Sequence, residues 1–209
     1  MNTFISPRYN TLMLMNSSDN PNLFSYAAFL RGINISGKKQ IKMEALRDAF
    51  QSWGFENVST ILASGNILFD ASVDNPKIIS ETITNGIRTS FGFDVGVFIR
   101  TIAELKAMAD RDPFKGYTES AQLKLYATFV NQKPEPHFSI PYQSPGKELE
   151  ILYLMDYVIF SAVHLTPRFG TTDMMAFMEK EFGGDLTTRN WNTVVKILDL
   201  NKKNNLKYP

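Results

Sequence analysis

VSTILASGNILFD, residues 58–70, sets two apolar runs, VSTIL and NILFD, on either side of the small-residue break ASG. The break suits either a hairpin or one strand interrupted by a bulge, and both readings place Ser64 and Asn66 at a backbone irregularity. Upstream, SYAAFL reads as a short buried strand ending at Arg31. After a glycine loop, Met43, Leu46, Phe50 and Trp53 fall on one helical face that Gly54 stops. Downstream, Asn75 and Pro76 open a helix whose stripe is Ile79, Ile83, Ile87 and Phe91. Gly92 ends it, and VGVFI follows as a strand. With 58–70 taken as a hairpin, residues 24–100 become β-α-β-β-α-β, the ferredoxin-like order, with an antiparallel sheet covered on one face by two helices.

The same reading continues through the second half. Thr101 and Glu104 form a capping box for a short helix closed by Pro113, so residues 101–122 read as helix and linker. LKLYATFV alternates Leu123, Leu125, Ala127 and Phe129 on one face, and NQKPEPHFSIPYQSPGK reads as a covering loop. ELEILYL and YVIFSAV pair through a turn near Asp156. A helix capped by Thr171 or Thr172 buries Met174, Phe177 and Met178 and stops at Gly183 and Gly184, and a last helix carries Trp191, Val194, Val195 and Leu198. Residues 123–209 thus form a second α+β half that copies the first in element order, without a repeat visible in the sequence. The expected architecture is α+β, two ferredoxin-like α/β sandwich halves preceded by a loosely ordered extension over residues 1–23.

Composition narrows the chemistry. The chain has 209 residues, 44% of them hydrophobic, a formal charge of +1 and no cysteine. That is enough for one ample core or two small ones. Without cysteine there is no disulfide, thiolate nucleophile or cysteine-ligated metal. No apolar run approaches membrane-spanning length and the start lacks a secretory pattern, so a cytoplasmic protein without a membrane partner is expected. His137 and His164 have no metal-ligand spacing around them, and neither a metal nor a cofactor is implied. Charge and composition leave the oligomeric state open.

RGINISGKK, residues 31–39, reads G-x-x-x-x-G-K from Gly32 to Lys38. A nucleotide phosphate loop next requires a Ser or Thr hydroxyl for magnesium, but that position is Lys39, which cannot ligate a cation. The stretch therefore reads as a glycine turn presenting donors. Ser64 lacks the glycine two residues earlier that a nucleophile elbow requires, and no catalytic residue is assigned.

Three blocks, FLRGINISGKKQIKMEALR, ILASGNILFD and TTRNWNTVVKILDL, resemble the signature blocks of the domain-of-unknown-function 1697 family of bacterial proteins. The resemblance runs from about Tyr26 to Leu200 and implies an α+β fold without an established activity. Relatives tend to carry a Gly-Arg-Ser-Lys-like segment before the penultimate helix where this chain has TPRFGTTDMM, with Arg168 in the basic position and no matching lysine.

The blocks contribute Arg31, Asn34, Lys38, Ser64, Asn66, Thr188, Arg189, Asn190 and Asn192, a set rich in hydrogen-bond donors and without a resident acid or base. The third block also opens a helix, where exposed N–H groups favour an anion. If the blocks meet in space, they form a cleft for a small anionic or phosphorylated ligand, with Arg31, Asn34, Lys38, Ser64, Asn66, Arg189, Asn190 and Asn192 as contacts. Two alternatives follow from the same residues. One is an RNA-binding module using the basic run Arg31, Lys38, Lys39, Lys42 and Arg47, with Tyr26, Phe69 and Phe98 on an open sheet face. The other is an enzyme acting on a phosphorylated metabolite, with Arg31, Lys38 and Arg189 stabilising negative charge.

Overall fold

A computed structural model describes residues 23–207 apart from residues 36 and 38, with the side chains of the last helix described through residue 204. Residues 1–22 of the extension and Lys38 lie outside the described residues. The chain begins β1 (Phe24–Leu30), α1 (Met43–Ser52), β2 (Glu56–Ile61), β3 (Asn66–Ala71), α2 (Pro76–Phe91) and β4 (Val97–Thr101). The 58–70 stretch is a hairpin: Ile61 pairs with Asn66, and the strands are antiparallel in the order β2-β3-β1-β4. Then come α3 (Ile102–Asp110), β5 (Leu123–Val130), β6 (Tyr142–Gln143), β7 (Leu149–Met155), β8 (Val158–His164), α4 (Thr171–Phe182), β9 (Leu186–Asn190) and α5 (Trp191–Lys207). These strands form a second antiparallel sheet in the order β6-β7-β8-β5-β9.

Alternation along β1 explains how the layers stack. Tyr26, Ala28 and Leu30 face one core with Leu46 and Phe50 of α1 and Ile79, Ile83 and Ile87 of α2. Ala27 and Phe29 face a central core shared with Leu125, Ala127 and Phe129 of β5. Ile159 and Val163 face a third core under Met174 and Met178 of α4. The two sheets thus meet face to face, with α1 and α2 on the outer face of the first and α4 on that of the second. Helices α3 and α5 flank the central core through Leu105, Met108, Val194 and Ile197, so residues 101–122 are built into the interface between the halves. Among the described residues no helix is long and apolar enough to cross a membrane.

Local chemistry sets the element ends. The Asn75 side chain accepts from the N–H groups of Lys77 and Ile78, and Gly92, at φ 78°, closes α2. The Thr101–Glu104 capping box forms as read. Three details differ from the sequence reading. Gly170, not Thr171 or Thr172, is the N-cap of α4, because Asp173 reaches back to its N–H at 2.7 Å. Val195 is exposed and Ile197 takes the core position. Residues 186–190 form a strand, β9, before α5 begins, since the β-branched Thr187 and Thr188 complete the ladder against β5.

The halves are related by more than element order. Tyr26-Ala27-Ala28-Phe29-Leu30 of β1 corresponds to Tyr126-Ala127-Thr128-Phe129-Val130 of β5. Arg100 stands opposite Ala27 on β4, and Arg189 stands opposite Ala127 on β9. Tyr26 donates to Asp74 just ahead of α2 at 2.7 Å, while the Tyr126 hydroxyl lies 3.4 Å from that of Thr171 at the start of α4. A repeat is therefore present where the sequence reading found none. Its signal is confined to a five-residue strand and a lone arginine. α1, moreover, has no counterpart, its place being taken by the loop that carries β6 and packs Phe138, Ile140 and Tyr142 on the third core.

Candidate functional site

Arg189 joins the three sequence blocks. Its Nη2 donates to the carbonyls of Leu30, at 2.7 Å, and Ser64, at 3.3 Å. Its Nε donates to Asn66 Oδ1 at 2.6 Å, and its Nη1 to Thr187 Oγ1 and the Thr188 carbonyl, both at 2.8 Å. The guanidinium also lies over the Phe29 ring at 5.8 Å. Every acceptor is neutral, so burial pushes the Arg189 pKa down to about 10. All five donors are engaged inside the protein, which makes Arg189 a bridge between halves rather than a free anion clamp.

The neighbouring block residues complete this knot. Asn66 donates to the Ile61 carbonyl and to Ser64 Oγ, both at 3.0 Å. Gly65, at φ 74°, accepts from the Leu30 N–H, and a Cβ there would fall 2.9 Å from Ile33. Asn34, itself left-handed at φ 57°, ties Ile41 and the Ala63 carbonyl together with its side chain. The RGINISGKK stretch thus lies in the turn between β1 and α1, with Gly32 and Gly37 also left-handed. Arg31 leaves the group: its Nη2 bonds Glu179 at 2.5 Å and its Nη1 bonds the Gly184 carbonyl. The aromatics Tyr26, Phe69 and Phe98 are fully buried, so neither they nor either face of the first sheet offers bases a stacking platform.

Asn190 and Asn192 lie apart from the knot, at the start of α5. Asn190 Oδ1 caps the helix by accepting from the Asn192 N–H at 2.9 Å, and the Asn190 amide donates to Glu119 Oε1 at 2.6 Å. The Asn192 amide donates to the other oxygen of Glu119. Lys124 stands 3.9 Å from the same carboxylate. An open cleft of about 560 Å³ is lined here by Leu62, Glu119, Ser120, Lys124, Asn190, Asn192, Thr193 and Lys196. The sequence reading therefore anticipated two of its lining residues and missed Glu119, Lys124 and Lys196, which come from a loop, the start of a strand and the second turn of a helix.

The chain belongs to the family described as "Protein of unknown function (DUF1697)". The match spans residues 23–160. It covers the first two sequence blocks and stops before the third. No curated protein matches the chain. Among solved structures, the chain is similar to a conserved bacterial protein from Streptococcus pneumoniae, with a TM-score of 0.65 and 20% identity over 85% of this chain and 98% of that one. At that identity the likeness bears on the fold, and it extends the shared architecture past residue 160 into the second half.

Proposed function

We propose that this DUF1697 protein binds a small anionic or phosphorylated ligand in the cleft at the start of α5. The observation that carries the reading is the convergence of the Asn190 and Asn192 amides on a single carboxylate, with Lys124 beside it and Lys196 on the cleft wall. Donors that already hold both oxygens of Glu119 have the spacing to hold a carboxylate or phosphate group. In this reading Arg189, Asn66, Ser64 and Asn34 are the scaffold that fixes β9 and hence the cap of α5, while Asn190, Asn192, Lys124 and Lys196 make the contacts. Glu119 competes with the ligand for the same donors. Binding suits the site better than catalysis, because its one carboxylate is engaged by amides and the Ser120 hydroxyl on its wall already accepts from the Gln122 and Leu123 N–H groups.

Thermal unfolding against phosphate, nucleotides, sugar phosphates and short RNA tests the proposal. A ligand at about a hundred times its Kd adds about 2.7 kcal/mol and raises Tm by several degrees. Lys196→Ala should shrink that shift and Glu119→Gln should enlarge it by removing the competing charge and one of the two acceptor oxygens. Unchanged Tm throughout, in both the parent chain and Glu119→Gln, would sink the reading.

A further inference from the structure

Arg100 and Arg189 hold equivalent strand positions, yet they differ in how many of their donors the protein uses. Both send N–H groups to three carbonyls: Leu30, Ser64 and Thr188 for Arg189, and Val130, Tyr157 and Ile99 for Arg100. Arg189 also has two side-chain acceptors, Asn66 and Thr187. The strand registers show what replaces them. Asn66 faces Phe29, and the residue facing Phe129 in the same way is Val158; Thr187 faces Phe129 from β9, and the residue facing Phe29 from β4 is Phe98. Both side-chain acceptors have become apolar. A guanidinium carries five N–H groups, so the Nε–H and one Nη1–H of Arg100 meet no acceptor among the described residues. Nor does any carboxylate among them pair with this cation, although only 8% of the residue is exposed.

Arg100 lines a cavity of about 560 Å³, and this cavity is distinct from the cleft at α5. Val97, Ile99 and Val130 give its wall apolar surface, and Ser80, Asn131 and Tyr157 give it polar surface. The remaining charges are Lys77, Glu81 and Glu104, all three on exposed residues. Glu104 uses Oε2 for the Thr101 capping box, and its Oε1 makes no hydrogen bond among the described residues. Two cations and two carboxylates around a partly apolar wall match neither a bare phosphate nor a polyanion, since the carboxylates would repel both. They match a molecule that carries one charge of each sign.

We propose that this cavity binds a small zwitterion of the amino-acid class. Its carboxylate accepts from the two remaining donors of Arg100, its ammonium meets Glu81 and Glu104, and an apolar side chain lies on Val97, Ile99 and Val130. Titration calorimetry of the full chain with leucine and phenylalanine tests this, beside two analogues of leucine, the acid without its amine and the amine without its carboxylate. One or both amino acids should bind, with either single-charge analogue at least about tenfold weaker. Glu81→Gln, on an exposed helical residue, should weaken binding about tenfold, and Arg100→Lys, first checked for an intact unfolding transition, should weaken it further. Lys196→Ala should leave it unchanged, which separates this cavity from the anion cleft. The proposal is overturned if neither amino acid binds, if an analogue binds equally well, or if Glu81→Gln has no effect.

Discussion

The rings of Phe29 and Phe129 stack with centroids 4.2 Å apart and planes 12° from parallel, at the point where the two sheets meet. Each ring carries a guanidinium from the other half, Arg189 over Phe29 and Arg100 over Phe129. Each arginine also reaches across to the main chain at the end of the opposite half's first strand, Leu30 or Val130. The contact is reciprocal, as in an isologous dimer, but it is made within one chain. Truncating either ring should therefore unfold both halves together. Phe129→Ala should cost about 3–5 kcal/mol, and a double-mutant cycle with Phe29→Ala should return a coupling of about 0.5–1.5 kcal/mol beyond burial. Independent unfolding of the halves, seen as two urea transitions, would contradict this.

Arg189→Met should destabilise the fold by about 3 kcal/mol or more, because it strands buried carbonyls and the Asn66 amide oxygen. Arg189→Lys keeps a charge but offers at most three donors in place of five, so it should recover only part of the loss. Urea midpoints of the two variants check the order. Lys196→Ala, at an exposed position, should stay within about 0.5 kcal/mol of the parent.

Gly86 sits in the middle of α2, where a Cβ would lie 2.4 Å from the ring of Trp53. Helix propensity alone favours alanine by about 1 kcal/mol, but the close approach of α1 and α2 decides the sign. Gly86→Ala should displace the indole, cost about 1–3 kcal/mol and shift the Trp53 emission, which a Trp191→Phe background isolates. A stabilised variant would show that α1 can move aside freely.

Burial, reinforced by its hydrogen bond to Asp74, raises the pKa of Tyr26 well above the usual 10.0. The folded state then keeps a proton that the unfolded state loses. The stability tied to this proton is complete below pH 10 and declines as pH rises above it. Tyr117, raised by burial and by Glu150, acts with the same sign. Arg189 acts oppositely, since its lowered pKa makes the folded state shed a proton first above about pH 10. Tyr26→Phe should flatten the decline in urea stability between pH 9 and 11. An equally steep decline in the variant would assign the slope to other groups.

Periodicity and punctuation in the sequence determined the elements. The stripe Ile79, Ile83, Ile87, the Asn75 cap and the Gly92 stop act within a few residues of themselves, so these elements were legible, whereas the ASG break allowed a hairpin or a bulge until the pairing of Ile61 with Asn66 decided it. Strand β9 and the end of β4 were not. TTRN lacks an apolar alternation, and Arg100 reads as the point where VGVFI ends, yet both arginines are interior because partners from the other half receive their donors. The same holds for the site. Donor-rich blocks were visible as composition, but whether a donor faces a ligand or a carbonyl depends on what the opposite half brings to it. Sequence order placed Arg31, Asn34, Ser64, Asn66 and Arg189 together as candidates, whereas the tertiary structure engages them within the protein and leaves Asn190 and Asn192 on an open cleft. Local preferences are short-ranged and can be read along the chain; hydrogen-bond satisfaction is settled only when distant strands meet.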